Sequence, residues 1–214
     1  MREFIDEHHS MSKKYYEIMD SYTGKNMNTF ISKLKKLIQK DPNYFEAYNS
    51  LQDLLSKIGK KEEANIIIKQ ASERALKRIA DRRGNWPDKL EWVYLENRHV
   101  IRALFNQALL FWKEDRIDSA LDLFRKLLHS NPNDNLGVRY FILAIRKNIK
   151  FSEFDEWFNK KGFYTNEIDH WFYNNYLLFP EEFEWWEKEL ENEDDLDEEF
   201  DVDEFLGDSG IRFI

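Results

Sequence analysis

The chain has 214 residues, of which 42% are apolar and 34% charged, enough to bury a sizeable core and keep well-solvated faces. Seven Gly and four Pro are few for a fold with many tight turns, and the absence of Cys excludes disulfides, thiolate metal sites and cysteine nucleophiles. The net charge of −9 hides an asymmetry: from Pro180 onward sixteen acids face only Lys188 and Arg212, while the preceding 179 residues carry 25 acids and 30 bases.

Long helices are the expectation. Residues 1–23 read as the first, because Phe4, Ile5, Tyr15, Ile18, Met19 and Tyr22 fall mostly at three- and four-residue spacing. The adjacent His8 and His9 read as a solvated pair near a mobile terminus. The stretch TGKN at 23–26 breaks this helix. A second carries Phe30, Leu34, Leu37 and Ile38 and stops at Asp41-Pro42-Asn43, since Pro lacks the N–H and disfavours helical geometry before it. A third carries Tyr48, Leu51, Leu54, Leu55 and Ile58 and turns at Gly59. The fourth starts near Lys61 and is expected to run to Arg83, with GNWP at 84–87 ending it. A fifth is expected to begin near Pro87, a favoured first-turn residue. It takes in Leu90, Val93 and Tyr94, kinks near Asn97, and continues through Ile101, Leu104, Phe105, Ala108 and Phe111. After the polar turn KEDR, Ile117, Ala120, Leu121, Phe124, Leu127 and Leu128 make its partner. SNPND at 130–134 is then a stop followed by a start: Pro132 ends one helix, and Asn133, Asp134 or Asn135 caps the next.

The order helix, turn, helix, stop recurs. Phe30-x3-Leu34 and Ala120-x3-Phe124 each precede a Pro by eight residues. Tyr48-x2-Leu51-Gln52-x2-Leu55 precedes Ala64-x3-Ile68, as Leu104-x2-Gln107-Ala108-x2-Phe111 precedes Ala120-x3-Phe124. Over roughly residues 11–148 this resembles the tetratricopeptide repeat, whose pattern is W-x2-L-G-x2-Y, then A-x3-F, then P. Gln52 and Ala108 stand where that family prefers Gly. Pro42 and Pro132 lie 90 residues apart, not a multiple of the repeat length of about 34. Residues 95–141 also resemble a bacterial tetratricopeptide subfamily akin to the suppressor-of-tumorigenicity-7 proteins.

The resemblance implies an all-α fold, a right-handed α-solenoid of antiparallel helix pairs over 1–148, which binds a peptide or protein on its concave face as an adapter or regulatory subunit. The first helix of each pair would line that face with Asn49, Asp53, Arg102, Phe105, Asn106, Arg139 and Tyr140. Residues 149–186 would be an aromatic helical cap, since a last repeat otherwise exposes its apolar face. Residues 187–214 would be an acidic tail, disordered when alone. Leu196, Phe200, Val202, Phe205, Leu206 and the closing IRFI give this tail apolar anchors for docking on the basic body or on a partner. A rival role is an acidic mimic that occupies a partner's basic surface.

Two Glu-x-x-His pairs, Glu96/His99 and Glu167/His170, have the spacing of di-iron carboxylate helices. That bundle needs two further inward Glu, and none emerges. No catalytic residue, metal or cofactor is assigned, and the expectation is not an enzyme. The run Lys69, Arg74, Lys77, Arg78, Arg82 and Arg83 is interleaved with Glu73 and Asp81, which disfavours nucleic acid as partner. Arg98, Arg102 and Arg139 sit among apolar residues and are expected to pair with carboxylates such as Asp134 and Glu96. No run approaches the roughly 18 apolar residues of a membrane span. With no apolar leader in MREFIDEHHSMSKK, a cytoplasmic protein is expected.

Overall fold

The computed structural model describes residues 1–22, 27–160 and 163–199. The expected break at 23–26 lies outside the described residues, as does the expected tail from Phe200 on. The described chain is all-α, with ten helices and one two-stranded hairpin. They are α1 (Ser12–Asp20), α2 (Met27–Lys40), α3 (Phe45–Lys57), α4 (Lys61–Ile79), α5 (Leu95–Lys113), α6 (Ile117–Ser130), α7 (Val138–Arg146), α8 (Phe151–Phe158), α9 (Glu167–Tyr173) and α10 (Pro180–Glu199). Strands β1 (Asn159–Lys160) and β2 (Phe163–Tyr164) pair antiparallel between α8 and α9, and Tyr176–Leu178 form a 3-10 turn. The tail boundary expected at 186/187 falls inside α10. Among the described residues no helix is long and apolar enough to cross a membrane.

Neighbours in sequence pack as neighbours in space: α1 on α2, α2 on α3, and so on to α6 on α7, while α3 also meets α5. The core has two parts. Tyr15, Ile18, Phe30, Leu34 and Leu37 gather around Leu51, Leu54 and Leu55. The larger part runs from Phe45 and Tyr48 through α5–α7 to Phe154, Phe172, Phe183 and Trp186. Helix α3 feeds one face to each part. Ala120, fully buried on α6, sits where α6 crosses α5. Ala120→Leu should overpack this crossing and lower stability by about 1–3 kcal/mol; an unchanged urea midpoint would refute the close approach.

Helices α3, α5 and α7 end in the same way. Gly59, Asp115 and Asn148 have φ of +79°, +59° and +57°. The next residue's N–H reaches back five residues: Lys60 to Leu55 O, Arg116 to Phe111 O, and Ile149 to Ala144 O. This is the Schellman cap, which satisfies carbonyls left open at a helix end. Gly adopts that conformation freely, and Asp and Asn tolerate it better than other residues.

Two sequence expectations are corrected. The first 23 residues are not one helix, because only Ser12–Asp20 is helical. Residues 2–6 instead run extended as a strap beside the α4–α5 connection, with Phe4 N–H donating to Lys89 O and Lys89 N–H to Arg2 O. Helix α4 stops at Ile79, and no helix starts at Pro87. The connection is held elsewhere: Leu90 N–H donates to Ser130 O, and Trp92 N–H to the Asn131 side chain. A backbone bound across the molecule in this way is not free to coil.

Beyond residue 150, Phe154, Phe158, Phe172, Phe183 and Trp186 are buried together in the larger core. Helix α10 is fixed by its first turns. The buried Glu182 carboxylate is gripped by Arg125 and Arg146, and Trp186 Nε1 donates to Pro132 O at 2.7 Å. Trp157, Tyr173, Leu177 and Leu178 remain exposed.

Candidate functional site

The strap carries Asp6 into the interior, where its side chain is fully covered. Asp6 Oδ1 accepts from Arg78 Nε at 2.9 Å and from Glu7 N–H at 2.9 Å. Asp6 Oδ2 lies 3.0 Å from His99 Nε2 and 3.2 Å from His9 Nε2. Asn97, in the first turn of α5, ties down the backbone on both sides: Asp6 N–H donates to its Oδ1, and its Nδ2 donates to Phe4 O.

The protons in this cluster can be placed by counting donors. Phe45 N–H donates to His99 Nδ1 at 2.9 Å, so that nitrogen is the lone-pair side and the ring proton sits on Nε2, facing Asp6. His9 has a carboxylate at each nitrogen, Asp41 Oδ2 at 2.8 Å and Asp6 Oδ2 at 3.2 Å, so both nitrogens are donors and the ring is an imidazolium. The hydrogen bond to Asp6 accordingly raises the His9 pKa, opposed by burial and reinforced by Asp41. Burial alone would push the Asp6 carboxyl up, but hydrogen bonds from His9, His99 and the Glu7 N–H hold it far below the carboxylate range. The solvated pair expected at residues 8 and 9 is therefore corrected: His8 is exposed, but the His9 side chain is only 10% exposed.

Asp6, His9 and His99 each turn one ligand-type atom toward the others, the only such trio among the described residues. Their donor chemistry does not suit a divalent ion. A metal needs the Nε2 lone pair of His99, which the Phe45 N–H converts into a donor, and the Arg78 guanidinium already faces the carboxylate. Glu96, expected beside His99, is exposed and takes no part in the trio.

Above the cluster lies a cleft of about 460 Å³ between residues 7–9, helix α1 and the N-terminal parts of α3 and α5. Tyr16, Tyr44 and Leu95 give it apolar walls, Glu7, Glu46 and Glu96 acidic ones, and Arg98 and Arg102 its cations. Both guanidinium groups stack near the Trp92 ring, at 5.3 and 5.1 Å from its centroid. Arg102 Nη1 is spent on both oxygens of Glu46 at 3.1 Å, a partner from α3 in place of the expected Glu96. Arg98 is different. Its Nε donates to Trp92 O, and its terminal nitrogens have no protein partner among the described residues.

The seven residues expected to line a binding face divide into groups. Arg102, Asn106 and Asn49 come together where α5 meets α3. Asn106 Nδ2 donates to Asn49 Oδ1, and Asn49 Nδ2 to His99 O, so Asn49 is buried in the same network as the strap. Phe105 is half-buried with its ring against Phe124 and Phe141. Asp53 is exposed and accepts from Gln52. Arg139 and Tyr140 belong to a separate interior cluster. Arg139 pairs with Asp134 at 3.0 Å and stacks near Tyr140, Phe172 and Trp186, and the Tyr140 hydroxyl bonds Asp169.

Sequence reasoning missed Asp6, His9, Arg78, Trp92 and Asp41. The one local signal was Asp6 three residues before His9; the others are brought in from distant elements. Comparison with known proteins returns no match to a family model, a curated protein or a solved structure.

Proposed function

We propose that the protein is an interaction module of the tetratricopeptide kind, an adapter or regulatory subunit that binds a peptide or protein on the face built from the first helix of each pair. The common cap at the ends of α3, α5 and α7, and the contact of α3 with α5, support reading them as equivalent first helices. The Arg98 guanidinium carries the reading. It is half-buried, oriented by Trp92, and its terminal nitrogens are unspent at the wall of a cleft flanked by Tyr16 and Tyr44. A planar fork of this kind matches a carboxylate, and aromatic walls suit the apolar part of a side chain. The ligand is therefore an extended segment that presents an acidic group to Arg98.

The test is a peptide array of acidic and neutral sequences probed with full-length wild type and Arg98→Glu. Wild type is expected to retain acidic peptides, and Arg98→Glu to weaken them about ten- to a hundred-fold, the worth of one charge-assisted hydrogen bond plus repulsion. Its melting temperature should fall only modestly, since Arg98 gives up one hydrogen bond to Trp92 O and its stacking near the Trp92 ring. An unchanged set of peptides at unchanged strength would sink the reading.

A further inference from the structure

The first helix pair carries a second surface, distinct from the cleft. Helices α1 and α2 enclose a groove of about 490 Å³ whose floor is the buried Ile18 and Leu37. Its rim is Lys14 on α1 and Lys33, Lys36 and Lys40 on α2, against Glu17 alone. The three α2 lysines are spaced three and four residues apart and so share a helix face. All four are exposed, and none lies within ion-pair distance of a carboxylate among the described residues, whereas the adjacent Lys35 reaches Glu63. Four cations without an ion pair among the described residues, Lys33 also lying over the Phe30 ring at 5.6 Å, surround an apolar floor and reverse the local sign in a chain of net charge −9.

The complementary surface belongs to the same chain. Nine of the thirteen residues 187–199 are acidic, with Lys188 the only base, and the backbone there is the second half of α10. We propose that the α1–α2 lysine groove receives the acidic half of α10 from a second copy of this chain. We take the occupant from a second copy because the first turns of α10 are anchored on α6 and α7. Glu182 lies between Arg125 and Arg146, Phe183 is fully buried, and Trp186 bonds Pro132 O. A neighbouring copy can present the acidic half of α10 while the first turns of its helix keep these contacts. The surface on one copy differs from that on the other, so the contact is heterologous, and copies add head to tail beyond the dimer. The lysines are exposed and the attraction is between opposite charges, so salt governs it: the screening length is about 30 Å at 0.01 M salt and about 3 Å at 1 M.

Sedimentation of the full chain tests this. At about 0.02 M salt the average mass should rise with concentration past that of a dimer, and at about 0.5 M it should fall back to the monomer. Two variants separate the surfaces. K33E/K36E/K40E keeps the acidic helix and loses the groove; E189Q/E191Q/E193Q/D194N/D195N keeps the groove and removes five of the nine acids. Each alone should be monomeric at low salt, and mixed they should form a one-to-one complex that stops at the dimer. If charge reversal unfolds α2, judged by circular dichroism, K33A/K36A/K40A takes its place with the same expectation. A wild type that stays monomeric at low salt, a variant that associates as wild type does, or a mixture that stays monomeric each overturns the proposal.

Discussion

Asp6→Ala should lower the unfolding free energy by about 3–5 kcal/mol, the cost of removing one partner from a buried charge network. The aspartate is fully covered and accepts from Arg78, His9, His99 and the Glu7 N–H, and alanine leaves all four short of an acceptor. Arg78 is a quarter exposed and regains some water, which favours the lower end of that range. Asp6→Asn keeps the shape and an acceptor oxygen and should cost less. Urea unfolding measures both; a loss under about 1 kcal/mol for alanine would mean that the strap contributes little.

The same cluster sets a pH dependence. The His9 pKa is raised by folding, so its contribution is complete below the unfolded value near 6.5 and is lost as pH rises through the folded value. The Asp6 pKa is depressed, so its contribution is present above the unfolded value near 3.9 and is lost only as pH falls through a much lower folded value. The strap is therefore tightest between about pH 4 and 6.5 and loosens on the alkaline side. Asp41, Arg78 and Glu7 also face this cluster and move the midpoint without changing the sign. Asp6→Ala should flatten the alkaline decline.

Asp134→Ala should cost a similar amount, about 3–5 kcal/mol, at the start of α7. Asp134 has φ of +46° and is nearly fully buried just ahead of α7. Its carboxylate accepts the Val138 and Arg139 N–H groups, which open α7, and pairs with the Arg139 guanidinium. Alanine would orphan two backbone donors and leave that guanidinium among Tyr140, Phe172 and Trp186 with its hydrogen bond to the Tyr140 hydroxyl and the longer contact to Asp169. Burial pushes the Asp134 carboxyl up to about 6 against the pull of Arg139 and the two N–H groups. The folded state therefore holds this proton longer than the unfolded state, and stability falls as pH rises from about 4 through about 6. Asp134→Asn should remove that slope while keeping an acceptor for the helix start. A slope unchanged in the asparagine variant would assign it to another group.

What could be read from the sequence depended on how local its cause was. Helices α2, α3 and α6 follow from apolar spacing closed by Pro42, Gly59 and Pro132, signals that lie within a few residues of their effect. The strap failed that condition. Phe4 and Ile5 have helix-compatible spacing, but Arg2 and Phe4 give their backbone bonds to residues more than eighty positions away. The α4–α5 connection failed for the same reason, with Pro87 overruled by ties to Ser130 and Asn131. Arg102 shows the intermediate case. Its need for a carboxylate was legible from its apolar neighbours, but the partner, Glu46, is set by how α5 lies on α3.

The strap also has a consequence for the order of folding. Arg78, Lys89, Asn97 and His99, which hold it, lie far later in the chain, and the Asp6–His99 bond spans 93 residues. Closing a loop of that length costs on the order of 4 kcal/mol of chain entropy, from a dependence that grows as the logarithm of length. The helices between have mostly local contacts and need not wait for that closure. Residues 2–9 therefore act as a latch that fastens after α4 and α5 are in place, and its release is a partial opening below the global unfolding free energy. Amide protons of Phe4 and Asp6 should exchange faster than those of the α5 core around Leu104, and Asp6→Ala should widen that gap.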